Sequence, residues 1–434
     1  MACISAATMM NRFKRSFNEA RLNEIGKLAR FCRRERIVTP YRLALSLIEI
    51  FAANGARTIA DVQRAFNALC EQDVQYKPFH NQLSKPQFPT FMRVLFSRLL
   101  NELACEVLRF GPHSPFAQFT QIRLQDGTSF AVHATLAEEF PGRFTTVSPA
   151  AVELHVNLDL LTETVNEVVL TPDTAAEGQF LPPPIELAGH LLLGDRGYFD
   201  KHYLAAVDRA DGSFIVRGMA NLNPLVRCAL GGDGQEIKSW RGKRLKEVAG
   251  RIGRHEVVDL DVQFTCEDGT TYDCRLVAHR NPREGKPRYL VTNLNRAQFS
   301  TEQVADAYRL RWQIELLFKE WKSHANLHAF VTGNAAIAEG LIWAALCAAT
   351  LQRYCAHMTQ RVTGIAISTR RTAMCIHHVL TDIFQALLHA PSRLTATMTR
   401  AIEYLSRNAR RAHPQRDART GRLKLGLQHV GTAH

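Results

Sequence analysis

Between Tyr308 and Lys322 the chain reads YRLRWQIELLFKEWK. The stretch lacks Gly and Pro and is rich in Leu, Arg, Lys, Gln and Glu, which predicts a helix. At about 100° per residue, Tyr308, Arg311, Glu315, Lys319 and Lys322 fall within an arc of roughly 80°, with Trp312 at its edge. One face then presents a carboxylate ringed by a guanidinium, two ammonium groups, a phenol and an indole. A salt-bridged, solvated face is the plain alternative. Against it, Trp312 and Tyr308 are costly to leave in water, and three cations exceed what one anion needs for pairing. A carboxylate that holds a divalent cation, beside groups that hold phosphate oxygens, accounts for the excess. That combination points to phosphodiester chemistry.

Such chemistry calls for more carboxylates, and two candidates lie upstream. Asp126 sits in QDGTS, after an alternating apolar run. Asp126-Gly127 is also the strongest short hairpin signal, and taken alone it reads as a turn. Asp195, in LLLGDRGY, follows an apolar run, where a turn or a helix-capping Asp is common. With Glu315 these acids give separations of 69 and 120 residues. Asp159 and Asp173 are spare acids on or after strands, and Asp159 replaces Asp126 if the turn reading holds. Arg217 closes SFIVRG and is a candidate phosphate contact; Arg196 contacts DNA or pairs with an acid. His133 and His155 read as core histidines in strands. Trp240, in IKSWRGKR, reads as a hairpin core indole, with base stacking as the weaker alternative.

The elements that must bring these residues together follow a recognisable order. Residues to about 110 read as helical, beginning with a basic stretch from Arg12 to Arg36 that ends in Arg30, Arg33, Arg34 and Arg36. Thr39-Pro40 starts a helix that runs to Ala53 and stops at Gly55, Thr58 caps a second over Ile59–Cys70, and a third begins near Lys77. With His80, Asn81, Gln82 and Lys85 on the third, the group suggests a helix-turn-helix-like DNA reader. From about Ile122, IRLQDGTSFAV, AVELHVNLDL and TVNEVVLTP read as successive strands, followed by a loop or helix, LLLGDRGY and SFIVRG. Strands, helix, strand and a late helix make an α/β order that fits a ribonuclease-H-like core. HEVVDLDVQF and TYDCRLVAHR, joined by a turn at Glu267-Asp268-Gly269, mark an all-β insertion before PRYLVTNL returns to the core. The chain is then helical to about Leu405, with Ala335–Leu351 buried, and its basic tail from Arg407 reads as solvated. The resulting division is 1–115, helical; 116–218 and 287–335, core; 219–286, insertion; and 336–434, helical with the tail.

Composition bounds the rest. The chain has 434 residues, 46% of them hydrophobic, enough for two to four packed units. A net charge of +13 favours an anionic partner, nucleic acid before membrane. The ten cysteines form no Cys-x2-Cys pair, so a zinc site is not expected, and Cys266 and Cys274 read as free thiols in a reducing, cytoplasmic setting. Leu341–Leu351 is too short a run to span a bilayer, and no signal peptide is read at the amino terminus.

The spacing Tyr-x2-Arg-x3-Glu-x6-Lys, met by Tyr308, Arg311, Glu315 and Lys322, resembles the signature of the DDE transposases of bacterial insertion sequences, in the insertion-sequence-four family. DRGY around Asp195 resembles that family's second-aspartate motif. The resemblance implies that Asp126, Asp195 and Glu315 bind two Mg²⁺ ions, with Mn²⁺ as a substitute. DNA contacts are then expected of Tyr308, Arg311, Trp312, Lys319 and Lys322, with Arg217 added from its place at the end of a strand leading toward the site. The resemblance further implies cleavage at the ends of a mobile element and transfer of the 3′-hydroxyl ends to target double-stranded DNA by a homodimer, in the cytoplasm at the nucleoid. A β-rich insertion before the last core strand is expected of the family. The rival classes are a catalytically silent DNA-binding derivative and a simple nuclease on the same core. A paired-carboxylate glycosidase is disfavoured, because cations around the acid lower its pKa rather than raise it.

Overall fold

Local signals set the first hundred residues into helices. Thr39 accepts a hydrogen bond from the Arg42 amide and Pro40 occupies the first turn of the Pro40–Ala52 helix. Thr58 and Asp61 form a reciprocal capping box on Ile59–Cys70, and Tyr76–Leu83 and Phe88–Leu103 follow. The computed structural model describes residues 6–32, 34, 36–252, 257–280, 287–325 and 332–430. Arg33 and the first two residues of the HEVVDLDVQF run lie outside these.

The strands are β1 (Leu108–Phe110), β2 (Ile122–Ala131), β3 (Ala151–Asp159), β4 (Thr164–Pro172), β5 (Leu191–Gly194), β6 (Ser213–Arg217), β7 (Leu225–Leu230), β8 (Val257–Thr265), β9 (Thr271–Arg280), β10 (Pro287–Thr292) and β11 (Leu427–His429). Nine of them form one mixed sheet in the order β4-β3-β2-β5-β6-β10-β9-β8-β7. Only the β2–β5 and β5–β6 pairs are parallel. The fold is thus mixed α/β, with helices against a large mixed sheet. The strands of the 219–286 segment extend that sheet through the β9–β10 pair, and the segment also holds a one-turn helix, Leu245–Val248. Cys266 and Cys274 are free thiols, as expected.

Two apolar cores flank the sheet. On one face, Leu192, Phe214, Val216, Leu260 and Trp240 pack together, so Trp240 is a core indole. On the other face lie the helices from both ends of the chain. The Phe88–Leu103 helix runs against Ala335–Thr363, where a Cβ on Gly340 would meet the Phe88 ring at 2.2 Å. This second helix has 29 residues, far beyond the Leu341–Leu351 run. It is long and apolar enough to cross a membrane, but 78% of its most apolar window is buried inside the protein, as in a core helix.

Three expectations change. Asp126-Gly127 is not a hairpin turn: both residues lie inside β2, paired with Val156 and His155 of β3. Tyr308–Lys322 is not one helix. Thr301–Arg309 and Trp312–His324 meet at a tightened turn, in which the Arg311 amide donates to Tyr308 O (3.1 Å) and the Gln313 amide to Leu310 O (2.9 Å). The tail is not a solvated extension. β11 pairs with β1, Lys424 meets Asp306 (2.6 Å), and Arg422 is buried against Glu163.

Candidate active site

Strand register brings the first two acids level. In the parallel β2–β5 pair, Gln125 stands opposite Gly194, so the next residue on each strand is an aspartate. Asp126 continues along β2, whereas β5 ends and Asp195 opens the following turn. Glu315 enters from the first turn of Trp312–His324, which is anchored by buried Ile314, Leu317, Phe318 and Trp321.

Arg311 joins this set. Its guanidinium donates to Asp126 Oδ2 (2.7 Å) and to Glu315 Oε1 (2.5 Å). Tyr308 Oη donates to Asp195 Oδ1 (3.2 Å), and Arg217 Nη1 lies 4.0 Å from the same oxygen. The break between the two helices lets Tyr308 and Arg311 reach different acids, which a single straight stripe would not. The three carboxylates are not drawn within 4.8 Å of one another; the Arg311 fork spans Asp126 and Glu315.

The electrostatics follow from this crowding. Burial pushes the Asp126 carboxyl up to about 6, Arg311 and the Gly127 amide pull it down, and Asp195 and Glu315 push it up again. Burial also raises the Tyr308 phenol, with Asp195 adding to it, so the phenol remains a donor. Burial disfavours the charge on Arg311, but Asp126 and the neighbouring acids outweigh it and the guanidinium stays charged.

The remaining basic and aromatic candidates divide. Lys319 Nζ sits 4.6 Å from the centroid of Trp312, and that indole is 48% exposed. Lys322 donates to Ser129 O of β2 (2.8 Å), and burial lowers its pKa. It ties the helix to the Asp126 strand. Arg196 is exposed. Asp159 accepts from the amides of Ile122, Leu161 and Thr162 and from the Thr162 hydroxyl, so it caps a turn and is no substitute for Asp126. Asp173 accepts from the Arg143 amide. His155 is the expected core histidine, stacked 3.8 Å from Phe180, but His133 is exposed and caps a short turn.

Sequence reasoning missed how the far end of the Glu315 helix is held. Glu320 accepts from Arg353 (2.6 Å) and Thr369 (2.6 Å), and Arg353 also reaches Glu163, beside His357 and Arg422. These partners lie from 33 to over 100 residues away, and no local pattern could have signalled them.

The mixed sheet thus carries two aspartates at adjacent strand positions, with a glutamate on a helix across them. The profile of the family described as "Transposase DDE domain" matches residues 117–351, more than half of the chain, and the chain belongs to that family. It is 23% identical over 362 residues to a transposase for insertion sequence element IS231E from Bacillus thuringiensis subsp. finitimus, covering 74% of this chain and 75% of the relative. The corresponding IS231B transposase of B. thuringiensis subsp. berliner is 20% identical over 431 residues, covering 90% and 89%. A putative transposase InsL of Escherichia coli is 50% identical over 62 residues, 14% of this chain and 17% of the relative. Enzymes of this family act on DNA with divalent metals.

Proposed function

We propose that this chain is a cut-and-paste transposase that cleaves at the ends of its own mobile element and joins the freed 3′-hydroxyls to target DNA. The observation that carries this reading is the β2–β5 register, which sets Asp126 beside Asp195 with Glu315 reached through Arg311. The carboxylates of Asp126, Asp195 and Glu315, linked in part through Arg311, are oxygen donors of the kind that Mg²⁺, or Mn²⁺ in its place, requires. Burial raises Asp126 foremost, with Asp195 and Glu315 adding to it, and a bound cation would favour the ionised form against all three. Asp126, Asp195 and Glu315 would hold two divalent ions, which when bound would supply Lewis acidity at the phosphodiester.

The chain's own groups do the rest. Arg311 neutralises Asp126 and Glu315 and offers a fork to a phosphate that displaces them. Tyr308 orients Asp195 and can pass its hydroxyl to a phosphate oxygen, and Arg217 lies beside the same acid. Lys319 and Trp312 form an exposed cation–aromatic pair suited to the backbone and an unpaired base near the element end. Lys322, on the Glu315 helix, is held against β2 by its bond to Ser129 O and can contact phosphate from there.

On this reading, residues 116–218 and 287–335 are a ribonuclease-H-like core, 219–286 its insertion, and 336–434 a source of dimer contacts in a synaptic complex formed in the cytoplasm at the nucleoid. Residues 1–115 bind DNA. A groove of about 760 Å³ lined by Arg30, Arg34, Arg36, Lys77, Asn81 and Lys85 supports that assignment. The test is cleavage of a labelled duplex bearing the element end, with Mg²⁺, by wild type and Glu315→Gln. Cutting by wild type should fall at least about 100-fold in the variant while DNA binding persists. Binding without cutting by both would favour a silent DNA-binding derivative, and equal cutting would remove Glu315 from the site.

A further inference from the structure

The turn joining β8 to β9 assembles a ligand set that no short-range spacing announced. His202 lies in the first turn of the Lys201–Arg209 helix, while Cys266 and Asp268 lie in the β8–β9 turn. A ring nitrogen of His202, the sulfur of Cys266 and a carboxylate oxygen of Asp268 all lie within 4.8 Å of one another. Among the described residues this is the one such group of three.

The three donors are held from outside. The Cys266 amide donates to Thr270 O (2.8 Å) and the Gly269 amide to Cys266 O (3.1 Å), with Gly269 at φ +81°. The Thr270 amide and hydroxyl both donate to Asp268 Oδ1 (3.0 and 2.7 Å), which orients the carboxylate and leaves Oδ2 outside these bonds. The turn is docked on the helix by the Phe199–Phe264 ring contact and by Lys201, whose ammonium is turned onto Thr265 O (2.8 Å). Cys266 is 6% exposed, whereas His202 and Asp268 face solvent, so the sulfur forms the base of a site open at its mouth. Among the described residues, neither the His202 ring nor the Cys266 thiol makes a hydrogen bond.

We propose that His202, Cys266 and Asp268 bind a borderline divalent cation of the Zn²⁺ class, with water as the fourth ligand. Imidazole, thiolate and carboxylate are the ligand types Zn²⁺ takes, and three protein ligands leave one open position. Mg²⁺, a hard cation that prefers oxygen, is a poor match for the sulfur. Thiolate and carboxylate together balance a 2+ charge, and binding releases the thiol proton to solvent. The helix bearing His202 begins a few residues after Asp195, so the cation ties the hairpin of the 219–286 segment to the turn that carries a candidate catalytic acid.

The test uses the full-length chain, stripped of metal under a phosphine reductant and titrated with Co²⁺. A thiolate ligand gives a near-ultraviolet charge-transfer band that carboxylate sites do not give. The expected result is a band saturating near one equivalent and erased by Zn²⁺. Cys266→Ser abolishes it, and His202→Ala, a change at an exposed residue, weakens Co²⁺ binding about tenfold or more. Cys274→Ser and Glu315→Gln keep the band. No band, a band that survives Cys266→Ser, undiminished affinity in His202→Ala, or loss of the band in Cys274→Ser would overturn the proposal.

Discussion

Asp126 is the residue on which opposing forces are most evenly set. Its folded pKa of about 6 exceeds the ordinary 3.8, so the native state holds a proton that the unfolded chain releases between those values. The stability contribution of the protonated form is therefore complete below about pH 4 and is lost as pH rises through about 6. Asp126→Asn, which carries no charge, should lack this dependence, and the difference in denaturation midpoint between the two proteins across that window checks it. Catalysis should move the other way, because a protonated carboxyl is a poor ligand for a hard cation. Apparent Mg²⁺ affinity, read from single-turnover cleavage at subsaturating Mg²⁺, should rise as pH passes about 6, and an affinity flat from about pH 5 to about pH 8 would separate Asp126 from metal binding. Trp312 offers a second test. If its exposed ring stacks on a base, Trp312→Ala should weaken binding of an element end with an unpaired base by roughly 5- to 100-fold. Binding of fully paired duplex should change little, and equal losses on both substrates would make the indole a general contact.

Among the elements, the C-terminal tail governs how firmly the Glu315 helix is seated. Arg422 is buried against Glu163, and Glu163 also holds Arg353 and His357, through which the network reaches Glu320. Arg422→Met removes one cation from that buried carboxylate and should destabilise the protein by about 3 kcal/mol, read by denaturant unfolding. His429 gives the tail a pH dependence. Burial, with Arg422, Arg411 and His357 nearby, lowers its pKa from 6.5 to about 3. A depressed value means that the stability it contributes is present above about pH 6.5 and is lost as pH falls toward about 3. Hydrogen exchange of the 411–430 backbone, corrected for its intrinsic pH dependence, should therefore speed up on acidification, and His429→Gln should flatten that response. An unchanged response in the variant would assign the effect to another group.

For the whole molecule, the excess of 54 Lys and Arg over 41 Asp and Glu is a statement about DNA affinity rather than about fold. Some of the positive charge is already paired, as Arg311 beside Asp126 and, in the 219–286 segment, Arg275 beside Asp259 illustrate. The groove of Arg30, Arg34, Arg36, Lys77 and Lys85 is where phosphate contact is expected. DNA binding should weaken steeply with salt, and Arg34→Ala with Lys77→Ala should reduce the log–log salt slope by about two. A slope unchanged in that double variant would move the DNA path elsewhere on the surface.

Local chemistry made much of this protein legible in advance. Capping at Thr39 and Thr58, the strand-like runs of β2 to β4, the apolar β5 run and the hairpin turn at Gly269 depend on neighbours a few residues apart, and such signals survive without tertiary context. The grouping of Tyr308, Arg311 and Glu315 was visible for the same reason. What local spacing could not supply was anything that depends on register or on distant partners. Asp126-Gly127 carries a strong turn signal, yet β3 pairing holds it extended, since a central strand satisfies its backbone groups where a turn would not. The helix break at Arg311 arises where one end must meet Asp195 and the other Asp126. The tail docks because buried Glu163 requires cations that lie elsewhere in the sequence. Each of these outcomes is set by long-range pairing of buried polar groups, whose cost when left unpaired outweighs local preference.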